Sequence, residues 1–306
     1  MSVIAVVGVG AVGGAVAARL CTAGRDDVVL CVRTPFEALI VEGPSGILRA
    51  TPHIVTTPGA VQPVPWVLLA TKAHQTAGAA DWLRALVTSQ TTVVILQNGV
   101  EHTERVAPYA DGATLLPTVV ECPAVRVAPG RIVQRTPAHL IVPATAAGQH
   151  FAQLFAGTDV SVTVTPDFMT AAWRKLCLNV AGGAITALTD RTLGVMQRPD
   201  VAQVARDLIR ECLVVGRAEG AVLDEGLVEE IVTSMLLSPA EASTSMLTDR
   251  RAGRLLEADA RNGAVARIGA RHGIATPLNR ALTALLTAIH QATEGRSCLS
   301  HARSKT

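Results

Sequence analysis

The first fourteen residues constrain the fold most strongly, because a short apolar run turns directly into a glycine-rich segment. Residues 3–7 are rich in β-branched side chains, which is typical of a strand buried on both faces of a parallel sheet. Gly8, Gly10 and Gly13 then form the pattern Gly-x-Gly-x-x-Gly. In dinucleotide-binding βα units the first glycine permits a tight turn, the second lets the backbone approach a pyrophosphate, and the third allows close packing of helix on strand. The segment therefore predicts a dinucleotide site, with an ordinary glycine-rich βα turn as the alternative.

A helix is predicted directly after the glycines. Residues 15–20 continue the segment in a helical pattern, and Gly24 is placed to end the helix in a left-handed cap. A helix that begins near Val12 directs its N-terminal N–H groups at the phosphates. We therefore expect the cofactor to contact Gly8, Val9, Gly10, Ala11, Val12 and Gly13.

The residue that follows the second predicted strand indicates which dinucleotide is bound. Residues 28–32 are that strand, and Arg33 follows it, about where NAD-binding folds place an acid for the ribose 2′-hydroxyl. A guanidinium grips a 2′-phosphate through two parallel hydrogen bonds and stacks on adenine. Arg33 therefore favours NADPH/NADP+ over NADH/NAD+, and the alternative is a solvated surface arginine.

Composition excludes several classes of protein. A chain of 306 residues that is 49% hydrophobic and 17% charged favours two compact domains rather than disorder. A net charge of +2, without an aromatic-interleaved basic stripe, makes nucleic acid an unexpected partner. No cationic leader precedes the first strand, and no apolar stretch is long enough to span a membrane. We therefore expect a soluble, cytoplasmic protein with no membrane partner.

Cysteine and histidine spacing predicts neither a disulfide framework nor a metal site. The eight histidines form no pair with metal-ligand spacing. The six cysteines are dispersed, mostly among apolar neighbours, and lack a Cys-x-x-Cys pair, so they are expected to be reduced and structural: Cys21, Cys31, Cys122, Cys177, Cys212 and Cys298.

Two further buried parallel strands are predicted at residues 66–70 and 92–96, separated by a helix from Gln75 to Leu86. Ligands of open parallel sheets bind beyond the carboxyl ends of the strands, so the segments that contain Lys72, Gln75 and Asn98 are expected beside the cofactor. The alternatives are a solvated lysine at a helix start and an asparagine that forms a turn. Later apolar runs are expected to finish the same sheet, with antiparallel members: 113–121, 131–134, 139–142 and 160–164.

The pattern changes from alternating strands and helices to helices alone near residue 165. Helix starts are predicted at Thr165-Pro166-Asp167, at Arg198-Pro199-Asp200 and, as a capping box, at Ser238-Pro239-Ala240-Glu241, and Pro277 is expected to open a last helix that ends near Thr293. We therefore predict an α/β protein. Its N-terminal Rossmann-type dinucleotide-binding domain spans residues 1–165, its all-helical C-terminal domain residues 166–295, and a polar tail residues 296–306. The cofactor and the substrate are expected to meet in the cleft between the domains.

The first long helix carries a second candidate site. Lys175 and Asn179 are four residues apart and share a helix face, next to the apolar residues Trp173 and Leu176. A lysine there could give a proton to a reacting oxygen. The alternative is a snorkelling lysine beside a surface amide.

Six motifs occur in order along the chain. They are Gly8-x-Gly10-Ala11-x-Gly13, Lys72-Ala73-His74-Gln75-Thr76, Gln97-Asn98-Gly99-Val100, Trp173-Arg174-Lys175-Leu176-x-x-Asn179, Thr244-Ser245-Met246-Leu247-x-Asp249, and Glu257-x-Asp259-x-x-Asn262-Gly263 followed by His272-Gly273-Ile274-x-Thr276-Pro277. With these motifs the sequence resembles the ketopantoate reductase (2-dehydropantoate 2-reductase) family from residue 1 to about 290. The resemblance implies a Rossmann domain, a helical C-terminal domain and NADPH-dependent reduction of a 2-oxo acid, 2-dehydropantoate, to pantoate, a step of pantothenate and coenzyme A synthesis.

The resemblance also implies residue roles. Lys175 resembles the general acid that protonates the alkoxide, and Asn98 the group that shares this oxygen and touches the nicotinamide. Ser245 resembles the residue that binds the substrate carboxylate, and Asn179 the one that holds its distal hydroxyl.

Lys72 and the catalytic candidate Glu257 resemble cofactor-side residues of opposite charge, which could pair and keep Lys175 protonated. The alternative for Glu257 is a solvated pair with Arg261 one turn on, and for Ser245 a loop or capping hydroxyl.

Departures from the family pattern leave the substrate open. Many members carry a second asparagine four residues after Asn179, where this chain has Gly183, and an asparagine three residues before Ser245, where it has Ala242. Another 2-oxo acid or an imine is therefore an alternative substrate, and a non-catalytic NADPH sensor is an alternative function. Apolar helix faces in the second domain suit either a homodimer or a monomer's core.

Overall fold

The protein is described by a computed structural model that covers residues 3–25, 27–44 and 46–289. The predicted tail at 296–306 and the predicted end of the last helix near Thr293 lie outside the described residues. The chain divides between Phe168 and Met169 into two compact units. The first is mixed α/β and the second is helical, so the fold class predicted from the sequence is confirmed.

The first unit contains thirteen strands among the described residues. They are β1 (Ile4–Val7), β2 (Val28–Cys31), β3 (Leu39–Gly43), β4 (Gly46–Ala50), β5 (His53–Val55), β6 (Trp66–Leu69), β7 (Thr92–Ile95), β8 (Thr114–Pro117), β9 (Val119–Glu121), β10 (Ala124–Ala128), β11 (Arg131–Gln134), β12 (His139–Pro143) and β13 (Ser161–Thr165). Its helices are α1 (Ala11–Thr22), α2 (Ala80–Leu86), α3 (His102–Val106) and α4 (Ala146–Gln153). The helix predicted from Gln75 begins only at Ala80, because two short 3-10 turns, Ala73–Gln75 and Ala77–Ala79, precede it.

The main sheet has six parallel strands in the order β5-β2-β1-β6-β7-β8. Counted within the sheet, this is the order 3-2-1-4-5-6 of dinucleotide-binding folds. All four residues of β1 are buried, which explains why that strand is apolar without alternation. The strand order reverses between β1 and β6, and sheets of this type bind ligands beyond the carboxyl ends of such strands.

The prediction that the later runs finish this sheet is confirmed for β8, in the run 113–121, and wrong for the other strands. Only β8 joins it, and β8 ends at Pro117, which lacks the N–H group that a further ladder bond needs. The remaining strands form two small sheets, β10-β11-β3-β4 and β13-β12-β9, both with antiparallel pairs. A side chain at Gly14 would lie 2.1 Å from the Cδ1 atom of Ile132, so β11 packs directly on α1 rather than extending the sheet.

The second unit contains α5 (Phe168–Thr189), which begins at the unit boundary, α6 (Pro199–Ala218), α7 (Gly226–Leu237), α8 (Ser245–Arg251), a π-helical segment (Asp259–Gly263), α9 (Ala264–Arg271) and α10 (277–289). The predicted starts of α5, α6 and α10 are confirmed. At the first, the Asp167 N–H donates to the Thr165 hydroxyl over 3.1 Å.

The helix start predicted at Ser238 is wrong. The Ser238 hydroxyl donates to the Ser234 carbonyl oxygen, so this residue ends α7. Thr244 caps the next helix instead, because its hydroxyl accepts a hydrogen bond from the Leu247 N–H over 3.1 Å.

None of the described cysteines forms a disulfide bond, and Cys298 lies outside the described residues. Burial raises the pKa of Cys31 to about 12 and that of Cys122 to about 11. These two thiols therefore stay protonated and weakly nucleophilic at neutral pH. None of the described helices has both the length and the apolar character needed to cross a membrane.

A buried histidine follows β7. The Nε2 atom of His102 lies 3.0 Å from the carbonyl oxygen of Gln97, so this nitrogen carries the proton and donates. Burial lowers the pKa of His102 to about 4; the Gln97 carbonyl opposes this change and the Arg105 charge adds to it. His102 is therefore neutral in the folded protein at neutral pH.

Acid is expected to destabilise the protein through His102. An unfolded histidine titrates near pH 6.5, whereas His102 in the folded chain titrates near pH 4. Between these two values the unfolded chain binds a proton that the folded chain does not, so the free energy of unfolding decreases as the pH is lowered. The full effect is about 3 kcal/mol. Denaturant unfolding at pH 7 and pH 4 should show a smaller loss for His102→Gln than for the wild type. The exposed His53→Gln is the control, and equal losses in all three proteins would contradict the expectation.

Candidate active site

The β1–α1 turn requires glycine at two positions. Gly8 has a φ of +93°, and a Cβ atom there would lie 2.7 Å from the backbone nitrogen of Thr71. A Cβ atom at Gly13 would lie 2.2 Å from the Gly8 carbonyl oxygen and 2.9 Å from the Cβ atom of Ala70. The turn therefore packs on the end of β6 as closely as a backbone can. At Gly10, in contrast, a Cβ atom would meet nothing within 4 Å, so this residue leaves open space.

The N-terminus of α1 suits an anion. The first intrahelical bond runs from the Gly14 N–H to the Gly10 carbonyl oxygen, so the N–H groups of Ala11, Val12 and Gly13 have no acceptor within the helix. Gly10 offers no capping side chain, and the first turn contains no acid. Val9 is buried in the same hydrophobic cluster as Ile4 and Val6 of β1. Together, the open space at Gly10 and the N–H groups fit the pyrophosphate of a dinucleotide.

Arg33 lies just after β2 and is exposed. Its guanidinium makes no hydrogen bond or ion pair with any described residue. The side chain is therefore available to an anionic ligand, as the proposed contact with a 2′-phosphate requires.

Gln97 joins the polar segments that follow β6 and β7. Its Nε2 atom donates to the hydroxyl oxygens of Thr71 and Thr76 over 3.1 and 3.0 Å, and the Thr76 hydroxyl donates to the Ala73 carbonyl oxygen over 2.9 Å. Gln97 is buried, so these bonds are protected from water. Sequence reasoning placed the segment that begins with Gln97 beside the cofactor, because a polar residue ends a buried strand there, but it did not predict that Gln97 joins the two segments.

This network positions two predicted site residues. Lys72 is half-buried at the start of the turn, and its backbone N–H donates to the Oε1 atom of Gln75 over 3.3 Å. Asn98 is half-buried and precedes Gly99, whose φ of +112° requires glycine. Gln75 is exposed and shapes the turn. The cofactor contacts of these three residues stay predictions.

In the second unit, α5 carries the candidate catalytic face. Lys175, Asn179 and Gly183 are spaced by four residues and therefore follow one side of the helix. Lys175 and Asn179 are half-buried, whereas Trp173 is fully buried. The face is thus sheltered but accessible, as a site for a small molecule requires.

A partly buried hydroxyl pair holds the start of α8 against α5. The hydroxyls of Thr186 and Thr244 lie 2.7 Å apart, and Thr186 also donates to the Gly182 carbonyl oxygen over 2.6 Å. Ser245, the next residue, is exposed and begins α8. Capping is therefore performed by Thr244, and the Ser245 hydroxyl is not needed for it.

Glu257 and Arg261 form a buried ion pair. Arg261 Nη2 lies 2.8 Å from Glu257 Oε2, and both side chains are only 2% exposed. The same Nη2 donates to the Ser245 hydroxyl oxygen over 3.1 Å. The sequence alternative of a solvated contact is therefore wrong about the environment, although the pair itself exists. Sequence reasoning named Arg261 only as a partner of Glu257 and assigned it no function of its own.

Asn262 anchors this segment. Its Nδ2 atom donates to the Val180 carbonyl oxygen over 3.0 Å and to Asn279 Oδ1 over 2.9 Å. Arg261 and Asn262 are consecutive residues of the π-helical segment. The Arg261 side chain contacts Ser245, whereas the Asn262 side chain contacts α5. Such π segments are frequent at functional sites.

Two family profiles match the chain. "Ketopantoate reductase PanE/ApbA" matches residues 4–147 and "Ketopantoate reductase PanE/ApbA C terminal" matches residues 167–290. Together they cover most of both units.

Two curated relatives and one solved structure are similar along nearly the whole chain. A 2-dehydropantoate 2-reductase of Caulobacter vibrioides is 48% identical over 94% of this chain and 99% of its own length. One of Mycobacterium tuberculosis is 42% identical over 93% and 97%. A crystal structure of a PanE/ApbA family ketopantoate reductase from Ralstonia eutropha JMP134 superposes with a TM-score of 0.87 at 30% identity, over 95% of this chain and 99% of that one.

The glycine turn generates a test that separates binding from folding. Gly10→Ala should fold with unchanged stability, since its Cβ atom meets no protein atom, yet weaken NADPH binding at least tenfold because the methyl group occupies the open space. Gly13→Ala should lower the melting temperature, since its Cβ atom would collide with the backbone of Gly8. Thermal unfolding and fluorescence titration with NADPH measure the two effects. Equal behaviour of the variants would contradict this interpretation.

Proposed function

The chain belongs to the ketopantoate reductase family, and from this premise we propose that it reduces 2-dehydropantoate to pantoate with NADPH, a step of pantothenate and coenzyme A synthesis. The observation that carries the proposal is the 48% identity to a 2-dehydropantoate 2-reductase over 94% of this chain. The family assignment made from the six motifs is confirmed.

The residues of the first unit fit NADPH. The α1 N-terminus and the space at Gly10 suit the pyrophosphate, and Arg33 suits the 2′-phosphate. When bound, NADPH supplies the hydride that reduces the ketone carbon. Lys72, Gln75, Asn98 and Glu257 are proposed as further cofactor-side residues.

Lys175 is the proposed general acid. The ammonium group of Lys175 donates a hydrogen bond to the ketone oxygen and transfers its proton to that oxygen as negative charge develops there. The ketone thereby becomes an alcohol, and the lysine becomes a neutral amine. Asn98 donates a second hydrogen bond to the same oxygen. A half-buried lysine suits this role because partial exclusion of water strengthens the attraction between its charge and the oxygen.

Two side chains of the second unit are proposed to hold the substrate. The Ser245 hydroxyl, exposed at the start of α8, binds the carboxylate, and Asn179 on α5 binds the distal hydroxyl. The Thr186–Thr244 contact supports the proposal for Ser245, because it holds the first turn of α8 against the helix that carries Asn179.

Steady-state oxidation of NADPH tests the function. The purified protein should oxidise NADPH faster with 2-dehydropantoate than with other 2-oxo acids or imines. With 2-dehydropantoate as substrate, it should oxidise NADPH faster than NADH. Faster turnover of another 2-oxo acid or an imine would change the substrate assignment, and NADPH binding without any turnover would favour a sensor.

A cytoplasmic location and a homodimer are also proposed. Sedimentation velocity measures whether the protein is a homodimer.

Lys175→Ala should lower kcat about a thousandfold while the dissociation constant of NADPH changes little, because general-acid catalysis is lost and the first-unit contacts remain. The exposed Arg174→Ala, which breaks only a surface pair with Glu230, is the matched control on the same helix. Retention of more than a tenth of wild-type kcat in Lys175→Ala would rule out the assigned role.

Arg33→Ala should raise the KM for NADPH about 10- to 100-fold, since charge-assisted hydrogen bonds to a phosphate contribute roughly 1.5–3 kcal/mol. The KM for NADH should change little, because NADH has no 2′-phosphate. The exposed Arg126→Ala on β10 controls for a general loss of positive charge. Equal changes in both KM values would show that Arg33 does not read the 2′-phosphate.

A further inference from the structure

The guanidinium of Arg261 occupies the space beside Gly183. A Cβ atom built on Gly183 would lie 3.0 Å from Arg261 Nη1 and 3.7 Å from the Cβ atom of Met246. A larger residue at position 183 therefore fits only if the guanidinium moves. Gly183 lies one turn beyond Asn179 on the face that also carries Lys175.

Arg261 is buried with hydrogen-bond donors to spare. Its Nη2 group uses both N–H bonds, one to Glu257 and one to Ser245. Its Nε atom is buried without a hydrogen-bond partner among the described residues, and the guanidinium's hydrogen bonds to described residues all come from Nη2, not Nη1. Buried polar groups in proteins are almost always satisfied, so the donors that Arg261 leaves unused beside Gly183 are available to an acceptor on a ligand or to water.

We propose that Arg261 is a specificity-determining residue: its Nη1 group donates a hydrogen bond to the distal hydroxyl of 2-dehydropantoate, the place that an asparagine at position 183 fills in many family members. The inference rests on the proposed function. It explains how the chain recognises this hydroxyl although position 183 is glycine.

The charge of the site favours a hydroxyl over a second carboxylate. Glu257 lies 2.8 Å from the Arg261 guanidinium and neutralises its charge, so the pair as a whole attracts a second anion weakly. The donors of Nη1 still point at a fixed place, because Ser245 and Glu257 hold the other side of the planar group. A neutral acceptor such as an alcohol oxygen is therefore the matching ligand.

Arg261→Lys is the first test, because a lysine keeps a positive charge for Glu257 but cannot reach both Ser245 and the space at Gly183. Two substrates are compared: 2-dehydropantoate and 3,3-dimethyl-2-oxobutanoate, which has the same skeleton without the hydroxyl. In Arg261→Lys, kcat/KM for 2-dehydropantoate should fall 10- to 100-fold more than kcat/KM for the analogue, mainly through KM, because any loss through Ser245, which holds the carboxylate, is common to both substrates. The exposed Arg254→Lys, in the same unit, is the control and should change neither.

Gly183→Asn provides the second test. Alone it should lower kcat/KM for 2-dehydropantoate, because its Cβ atom displaces Nη1. In the double variant with Arg261→Lys, the ratio of kcat/KM for 2-dehydropantoate to kcat/KM for the analogue should be at least three times the ratio in Arg261→Lys alone. The reason is that the new amide supplies the missing donor. The coupling is the signature of a shared position in space.

Each outcome decides the inference. Equal losses for both substrates in Arg261→Lys, or additive losses in the double variant, would show that Arg261 only maintains the structure. Better turnover of 2-oxoglutarate, which carries a second carboxylate, than of 2-dehydropantoate would overturn the hydroxyl as its ligand. A wild type inactive on 2-dehydropantoate would refute the proposed function itself, and the inference with it, whereas an active wild type with an unchanged preference in Arg261→Lys refutes the inference alone.

Discussion

The first unit depends on a contact between backbones at the β1–α1 turn. Gly13 brings α1 against the turn residue Gly8, and Gly8 in turn lies against the backbone that follows β6. No side chain could stand between these segments, because a single Cβ atom would already be closer than van der Waals contact allows. This approach places the N-terminal N–H groups of α1 at the point where the strand order reverses. The buried Gln97 then links the polar segments after β6 and β7 beside the same sheet edge.

Buried polar contacts, rather than apolar packing alone, position the site of the second unit. The Thr186–Thr244 hydroxyl pair sets the start of α8, and Asn262 ties the π-helical segment to α5. The Arg261–Glu257 pair is a weak source of stability, since burying two charges costs about as much as their attraction returns. Breaking it would still cost about 3–5 kcal/mol, because one charge would remain buried alone. Such a pair is better explained by the orientation it imposes on a guanidinium with unused donors.

Sequence patterns succeeded where one physical requirement dominated. The glycines, the apolar strand and the helix starts at Thr165 and Arg198 each follow from a local rule, and the structure agrees with them. Sequence patterns failed where the same residues are compatible with two different local structures. Ser238 followed by proline reads as a helix start, yet its hydroxyl bonds back to Ser234 and ends the helix before it. An apolar strand such as β11 is equally suited to extending a sheet or to covering α1, and only the partner it meets decides.

By itself, the sequence determined the α/β fold class, the dinucleotide turn and the family, because these depend on residue types at short, fixed spacings. Lys175 and Asn179 could be paired from helical spacing for the same reason. The tertiary structure decided what fills the space at Gly183, because Arg261 lies 78 positions along the chain and reaches it only through the π-helical turn and the Asn262 anchor. It also decided that the Glu257–Arg261 contact is buried, since solvent exposure of a helix face is set by what packs on it and not by the residues of the helix.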